Sequence, residues 1–393
     1  MAVKAGVKQM IYMLIQEDRH SIVMELRRTS HLKVGVTVGI IKTNTVGMTN
    51  MKKLSCVAPL SVALLAASMG TQAAINLEDK VEVFGDFRLR GEDYSYNYKS
   101  DSDRARIRLR IGAKVQVNED ISVKFRLRNN ASNNDSSHDT LGADNSADFG
   151  YDQAYVSYDG VANLNVKGGK VPANYFRTTE LFLEDTQIPE GVSATYKMAN
   201  LTLNSAHFII DEERNGNTDL SWDHLQVVYS ASNYTLGLGH IALSEDTSDR
   251  LGDFESSEMS TLTAKATLGK VSLMLDANVT NEDADTDYTS QGQALIAGLG
   301  YQINGKLGAH MSYWRVGQLG TLANGEFTQT DMHALENFEG AMAQLKYKLD
   351  PKVSLTPRLF YSETLDDSVV ASVQDDGSAK SMMRYQLNLD VKF

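Results

Sequence analysis

The sequence predicts an all-β fold: a transmembrane antiparallel β-barrel of about sixteen strands, with short periplasmic turns and long external loops. Three observations carry this. Apolar and polar residues alternate with period two through most of residues 81–393, the pattern of strands with two unlike faces. The connectors between those strands alternate short and long. No run of about 18 apolar residues offers a helical span, whereas barrels cross with strands of low average hydropathy.

The first strands show the alternation best. In Val81-Glu82-Val83-Phe84-Gly85-Asp86-Phe87-Arg88-Leu89-Arg90 the odd positions are apolar or Gly and the even ones mostly charged. The pattern repeats from Arg104 to Val117 and from Ile121 to Arg128. Helical spacing would scatter those arginines around an axis. Weaker alternation continues to the C-terminus. Strands are expected near 81–92, 103–117, 120–130, 149–159, 162–170, 191–198, 201–210, 222–231, 234–243, 260–268, 271–279, 292–302, 305–315, 338–349, 353–364 and 381–393. Short connectors such as Asn118-Glu119, Ala199-Asn200, Gly269-Lys270 and Asp350-Pro351-Lys352 carry turn chemistry. Pro357 removes a ladder donor inside the fifteenth strand, so a bulge or a missing bond is expected there.

Composition excludes other classes. The 393 residues hold 38 Lys+Arg against 50 Asp+Glu, a net charge of −12, without the dense basic block of a nucleic-acid binder. A single Cys, Cys56, excludes a disulfide scaffold and a Cys-rich zinc site. Nothing in the pattern calls for a cofactor or a metal, and no local serine–histidine constellation suggests an outer-membrane enzyme.

The N-terminus is expected to lie outside the fold. Met51-Lys52-Lys53, an apolar stretch to Met69 and Thr71-Gln72-Ala73-Ala74 read as a secretory signal peptide over 51–73. Residues 1–50 then read as a spurious extension, and 74–393 as the mature barrel. With 7 Lys/Arg and 3 Asp/Glu in 1–50, and two Lys in the signal, the mature part carries −18.

Ten basic residues share one parity on three consecutive strands: Arg88, Arg90, Arg104, Arg106, Arg108, Arg110, Lys114, Lys124, Arg126 and Arg128. Facing lipid at the midplane, each would cost about 2–4 kcal/mol. They are therefore expected to line a wet lumen. Neighbours along a strand sit about 6.6 Å apart, so the cluster calls for counter-charge. The opposite parity holds Tyr158, Tyr229, Tyr313, Tyr347, Tyr361 and Tyr385, suited to an aromatic girdle. Acidic loop positions such as Asp246, Asp249, Asp283 and Asp366 read as a solvated outer face, bridged to lipopolysaccharide by divalent cations.

The closing strand runs Tyr385-Gln386-Leu387-Asn388-Leu389-Asp390-Val391-Lys392-Phe393, apolar at odd positions and ending in Phe. With the signal peptide and sixteen alternating strands, the chain resembles a Gram-negative outer-membrane porin, more narrowly the "putative porin" families. The resemblance covers the whole mature chain. It implies a bacterial outer-membrane location and a homotrimer embedded in lipid and lipopolysaccharide. It implies that Tyr385 and Phe393 serve as the signal read by the barrel-assembly machinery. In porins the third long loop folds inward. Here that loop is 171–190, with Arg177, Glu180, Glu184 and Asp185 expected at the constriction, facing the arginines. The Pro-Glu-Phe-Gly-Gly type signature of enterobacterial general porins is absent, so their constriction residues do not carry over. The expected function is passive diffusion of small hydrophilic solutes and ions through a non-enzymatic channel. An anion-selective, phosphate-type pore is the alternative, and an adhesion barrel acting through its loops is a further one.

Overall fold

The computed structural model describes residues 21–28, 34–41, 76–77 and 80–393, leaving out 132–135, 143–147, 180, 182–187, 212–219, 246–255, 283–291, 326–327, 329 and 367–379. The chain divides into two units. In Met1–Val57, Ser21–Arg28 pairs antiparallel with Val34–Ile41. The expected signal segment 51–73 lies outside the described residues, as do Asp246, Asp249 and Asp283.

The second unit, Ala58–Phe393, holds a closed antiparallel barrel. Its sixteen long strands are β1 Val81–Tyr96, β2 Ser102–Gln116, β3 Ile121–Asn129, β4 Phe149–Val161, β5 Leu164–Lys170 and β6 Glu190–Met198. There follow β7 Leu201–Asp211, β8 Leu220–Ser230, β9 Tyr234–Glu245, β10 Ser256–Leu268 and β11 Val271–Glu282. The last are β12 Gln293–Gln302, β13 Leu307–Val316, β14 Phe338–Asp350, β15 Val353–Thr364 and β16 Ser381–Lys392. Each pairs with its sequence neighbour, and β16 pairs with β1 to close the ring.

Several strands run further than expected, two of them by four residues. β1 continues through Glu92-Asp93-Tyr94-Ser95-Tyr96, and β10 begins at Ser256. Above an apolar belt the outward positions turn polar, so alternation fades while the ladder continues. The tight turns follow their side chains. Asn118 Oδ1 accepts from the amides of Asp120 (3.0 Å) and Ile121 (2.8 Å), and Asn304 Oδ1 from those of Lys306 and Leu307 (both 2.9 Å). These are local side-chain bonds that close a turn. Gly269 supplies a positive φ of 60° between β10 and β11. Opposite Pro357 the β14–β15 pairing lapses between Gln344↔Arg358 and Tyr347↔Leu355 without a change of register. That is the missing bond a proline imposes.

The outer face is apolar: Tyr151, Leu225, Leu238, Val192 and Tyr158 are all exposed. A core also exists, and it lies inside the barrel. Phe208, Leu220, Trp222, Ile241, Met259, Ile296, Val316 and Phe338 point inward from β7–β14 and are buried. Two inward-folded loops cover them.

Candidate functional site

The inner wall has two halves. On β1, β2, β3, β15 and β16 it is cationic. Register pairs Arg88 with Arg108 and Arg90 with Arg106 directly across β1–β2. Like charges so opposed repel, and carboxylates on the same parity compensate. Asp86 accepts from Arg108 (2.9 Å) and Arg110 (2.8 Å), Asp390 from Arg88 (2.6 Å), and Asp152 from Arg126 (2.6 Å). Glu92, its side chain fully buried, gathers Arg104 (2.6 Å), Arg384 (2.8 Å) and Arg90 (3.2 Å). A buried carboxylate is tolerable only when so paired. Lys124 lies over the Phe84 ring at 4.5 Å, and Lys114 is registered opposite it. Arg128 is buried among these residues.

Arg106 differs from its neighbours. Its Nη2 donates to Ser136 Oγ (2.8 Å) and the His138 carbonyl (3.0 Å), its Nε is buried, and among the described residues it pairs with no carboxylate. His138 sits in the same pocket. Burial, and then the surrounding Arg90, Arg108, Arg88 and Arg106, hold its imidazole far below the ordinary range.

The loop 317–337 folds into the lumen and brings Asp331 to this wall. Asp331 pairs with Arg384 (2.8 Å) and Arg358 (3.6 Å) and accepts from Gln386 Nε2 (3.0 Å). Burial works to raise the carboxyl, but Arg384, Arg90 and Arg358 outweigh it and hold it below the usual carboxylate range.

The loop 171–190 takes the other half. Gln226, fully buried on β8, grips its backbone on both sides, accepting from Phe176 N (2.7 Å) and donating to Phe176 O (2.8 Å). Asp276 on β11 accepts from Thr178 N (3.1 Å), Thr178 Oγ1 (2.8 Å) and Thr179 Oγ1 (2.8 Å). The Tyr175 hydroxyl meets Thr261 Oγ1 at 2.5 Å, and burial pushes that phenol up to about 12. Leu181 is fully buried, and its carbonyl accepts from Thr328 Oγ1 (2.9 Å), joining the two inward loops. Arg177 is half-buried. Glu180, Glu184 and Asp185 lie outside the described residues.

The expected source of counter-charge was this loop 171–190. Among the described residues counter-charge comes from the wall's own Asp86, Glu92, Asp152 and Asp390, and from Asp331; Glu180, Glu184 and Asp185 of loop 171–190 lie outside them. Asp86 and Glu92 share the arginines' parity and were readable as such, as were Arg358 and Arg384. Asp331 carries no local signal, since only tertiary folding brings its loop inward.

Residues 67–211 match the model of a family described as "Putative porin". Two mutants of the Rh. blastica porin superpose with TM-scores of 0.51 and 0.50, each at 9% identity and covering 80% of this chain and 100% of theirs. The fold is a porin fold. OmpT in its trimer form, an outer membrane protein of Vibrio cholerae, gives 0.49 at 12% identity, over 80% of this chain and 99% of its own. No curated protein matches the chain. The porin fold accounts for the long loops gathered at one end and for a lumen wide enough to admit two of them.

Proposed function

We propose that the chain forms a water-filled channel in the bacterial outer membrane, through which small hydrophilic solutes and ions diffuse passively. The supporting observation is the inner wall: a closed barrel, apolar outside, with guanidinium and carboxylate groups paired with each other along one side of its inner face. Fixed opposed charges favour solutes that carry their own hydration or dipole, and slow apolar ones. A preference for anions is favoured by one observation. Among the described residues the wall's cations outnumber the carboxylates beside them, and Arg106 is matched there by a hydroxyl and a carbonyl. The wall residues named from the sequence are read as pore-lining, and Arg177, Glu180, Glu184 and Asp185 as part of the narrowing loop. By resemblance the reading extends to a homotrimer, a mature chain beginning near Ala74, and assembly that depends on Tyr385 and Phe393.

Recording in planar bilayers with a salt gradient tests this. Stepwise conductance is expected, with a reversal potential on the anion side at about 0.1 M salt, where the Debye length is about 10 Å. The preference should fade near 1 M, where that length is about 3 Å. Folded protein that gives no conductance steps would overturn the reading.

A further inference from the structure

A second cationic region lies at the turn end of the lumen, on the side away from β1–β3. Lys346 and Lys348 rise from β14, while Lys270 and Lys306 come from the β10–β11 and β12–β13 turns. They line one recess of about 440 Å³. That volume falls in the range of small-molecule sites, roughly 300–1,000 Å³.

Its chemistry differs from that of the arginine wall. Among the described residues no carboxylate lines the recess. Among the described residues none of the four lysines forms an ion pair, and Lys270 reaches only the Ile303 carbonyl, at 3.4 Å. The arginine wall, by contrast, carries carboxylates on its own strands. Four ammonium groups gathered without fixed counter-charge draw it from solution. The neutral groups present, His310 and Gln344, add hydrogen-bonding capacity without negative charge. The floor is kept open by Gly300, where a Cβ would collide with Ser272 Oγ.

The recess is also connected. Register sets Ser272, Gly300, His310, Gln344 and Arg358 in one row across β11–β15, all of lumen parity. Arg358 pairs with Asp331 on the arginine wall, and its Nε is buried without a partner. One row of side chains thus runs from the recess to the wall.

We propose that this recess is an anion subsite at the turn-side mouth that takes dissolved phosphate-type polyanions. The proposal rests on the channel reading above and adds a second, separate station to it. The lysines face the lumen and not the lipid, so the ligand is a solute and not a headgroup.

The test uses the full chain and inorganic pyrophosphate as probe. In bilayers, millimolar pyrophosphate is expected to block chloride current more strongly from one side. Replacing Lys270, Lys306, Lys346 and Lys348 together with Gln should raise the half-blocking concentration at least tenfold from that side alone. Replacing the four with Arg should preserve the block. Side-independent block, or equal block in the Gln variant, would overturn the subsite. If the folded protein conducts nothing, the channel reading fails, and calorimetric titration of the detergent-solubilised protein decides the subsite alone. Pyrophosphate affinity that drops at least tenfold in the Gln variant upholds it, and unchanged affinity sinks it.

Discussion

The two halves of the lumen solve the same problem in opposite ways. Each must fill space inside a barrel too wide for its own side chains. From β7 to β14 the part of the wall beyond the turn-side recess carries an apolar cluster, and a loop is packed onto it. Phe208 meets Trp222 edge-on at 5.8 Å, and Gln226 and Asp276 fasten the loop backbone above them. On β1–β3, β15 and β16 the wall is charged and its groups pair with one another, with one further carboxylate delivered by Asp331. The difference teaches where water is permitted. An apolar inner face demands a lid, whereas a matched ionic face needs only partners within reach.

The sharpest way to break this contrast is to open the packed half. Phe208→Ala removes a fully buried ring at the centre of the inner core, and such truncations cost about 3–5 kcal/mol. The heat-resistant folded band should lose resistance on gels, and channel noise should rise as the loop 171–190 loosens. A quiet, fully heat-resistant variant would show that the inner core does not hold that loop.

Asp331→Asn comes next. It leaves Arg384 and Arg358 without their shared carboxylate. A broken buried pair costs about 3–5 kcal/mol, reduced here to about 1–3 because the Asp331 side chain is 28% exposed. A double-mutant cycle with Arg384→Gln should recover at least about 1 kcal/mol of coupling. Additivity of the two changes would mean that the contact carries no energy.

The wet half is addressed by replacing Arg106, Arg108 and Arg126 with Gln. Three charges about 10 Å from the path, partly screened at 0.1 M salt, amount to roughly a threefold change in permeability ratio. The reversal potential should move toward cations. If it stays where it was, that wall does not line the conducting path.

The smallest effect is in pH. His333, on the loop 317–337, is held down to about 4 by burial and by Lys380, below its ordinary 6.5. The docked loop thus disfavours the charged imidazole, and acidifying from about 6.5 to 4 shifts the balance toward release. Asp331, held low, contributes fully above the ordinary carboxylate value of 3.8 and loses its contribution only below it. Current fluctuations should therefore begin to grow below pH 6.5, and more steeply below 4. His333→Gln should remove the first phase and keep the second.

The strands and the cationic wall were legible in the sequence because charge cannot face lipid. Each arginine on β1–β3 reports its own orientation, and sixteen strands followed from one alternation rule. The inner core was not legible for the mirror reason. Phe208, Trp222 and Ile241 alternate with outward Ile209, Leu225 and Leu238, so both faces of those strands are apolar and parity is silent. Loop 171–190 offered Leu181 as a hint that something inside would bury it. Loop 317–337 offered only Leu319, Leu322, Phe327, Met332 and Leu335, scattered among polar residues. The lysines of the turn-side recess come from three separate segments, and only the closed ring brings them together.

The seam between β16 and β1 has a consequence for how the barrel is completed. Arg88 meets Asp390, Arg90 donates to Asn388 (2.7 Å), and Arg384 meets Glu92, all across this one junction. Just beyond, Gly85 and Phe393 exchange backbone hydrogen bonds of 3.0 and 3.1 Å, with the terminal ring lying where a Cβ on Gly85 would be. These partners stand at opposite ends of the barrel sequence. Bringing them together closes the longest loop in the fold, at the largest entropic cost. A slip by one residue would swing Arg88 and Arg90 into lipid, and a slip by two would take Arg88 away from Asp390. The charges of this seam thus act as a check on alignment, latching only when first and last strands arrive in the correct register.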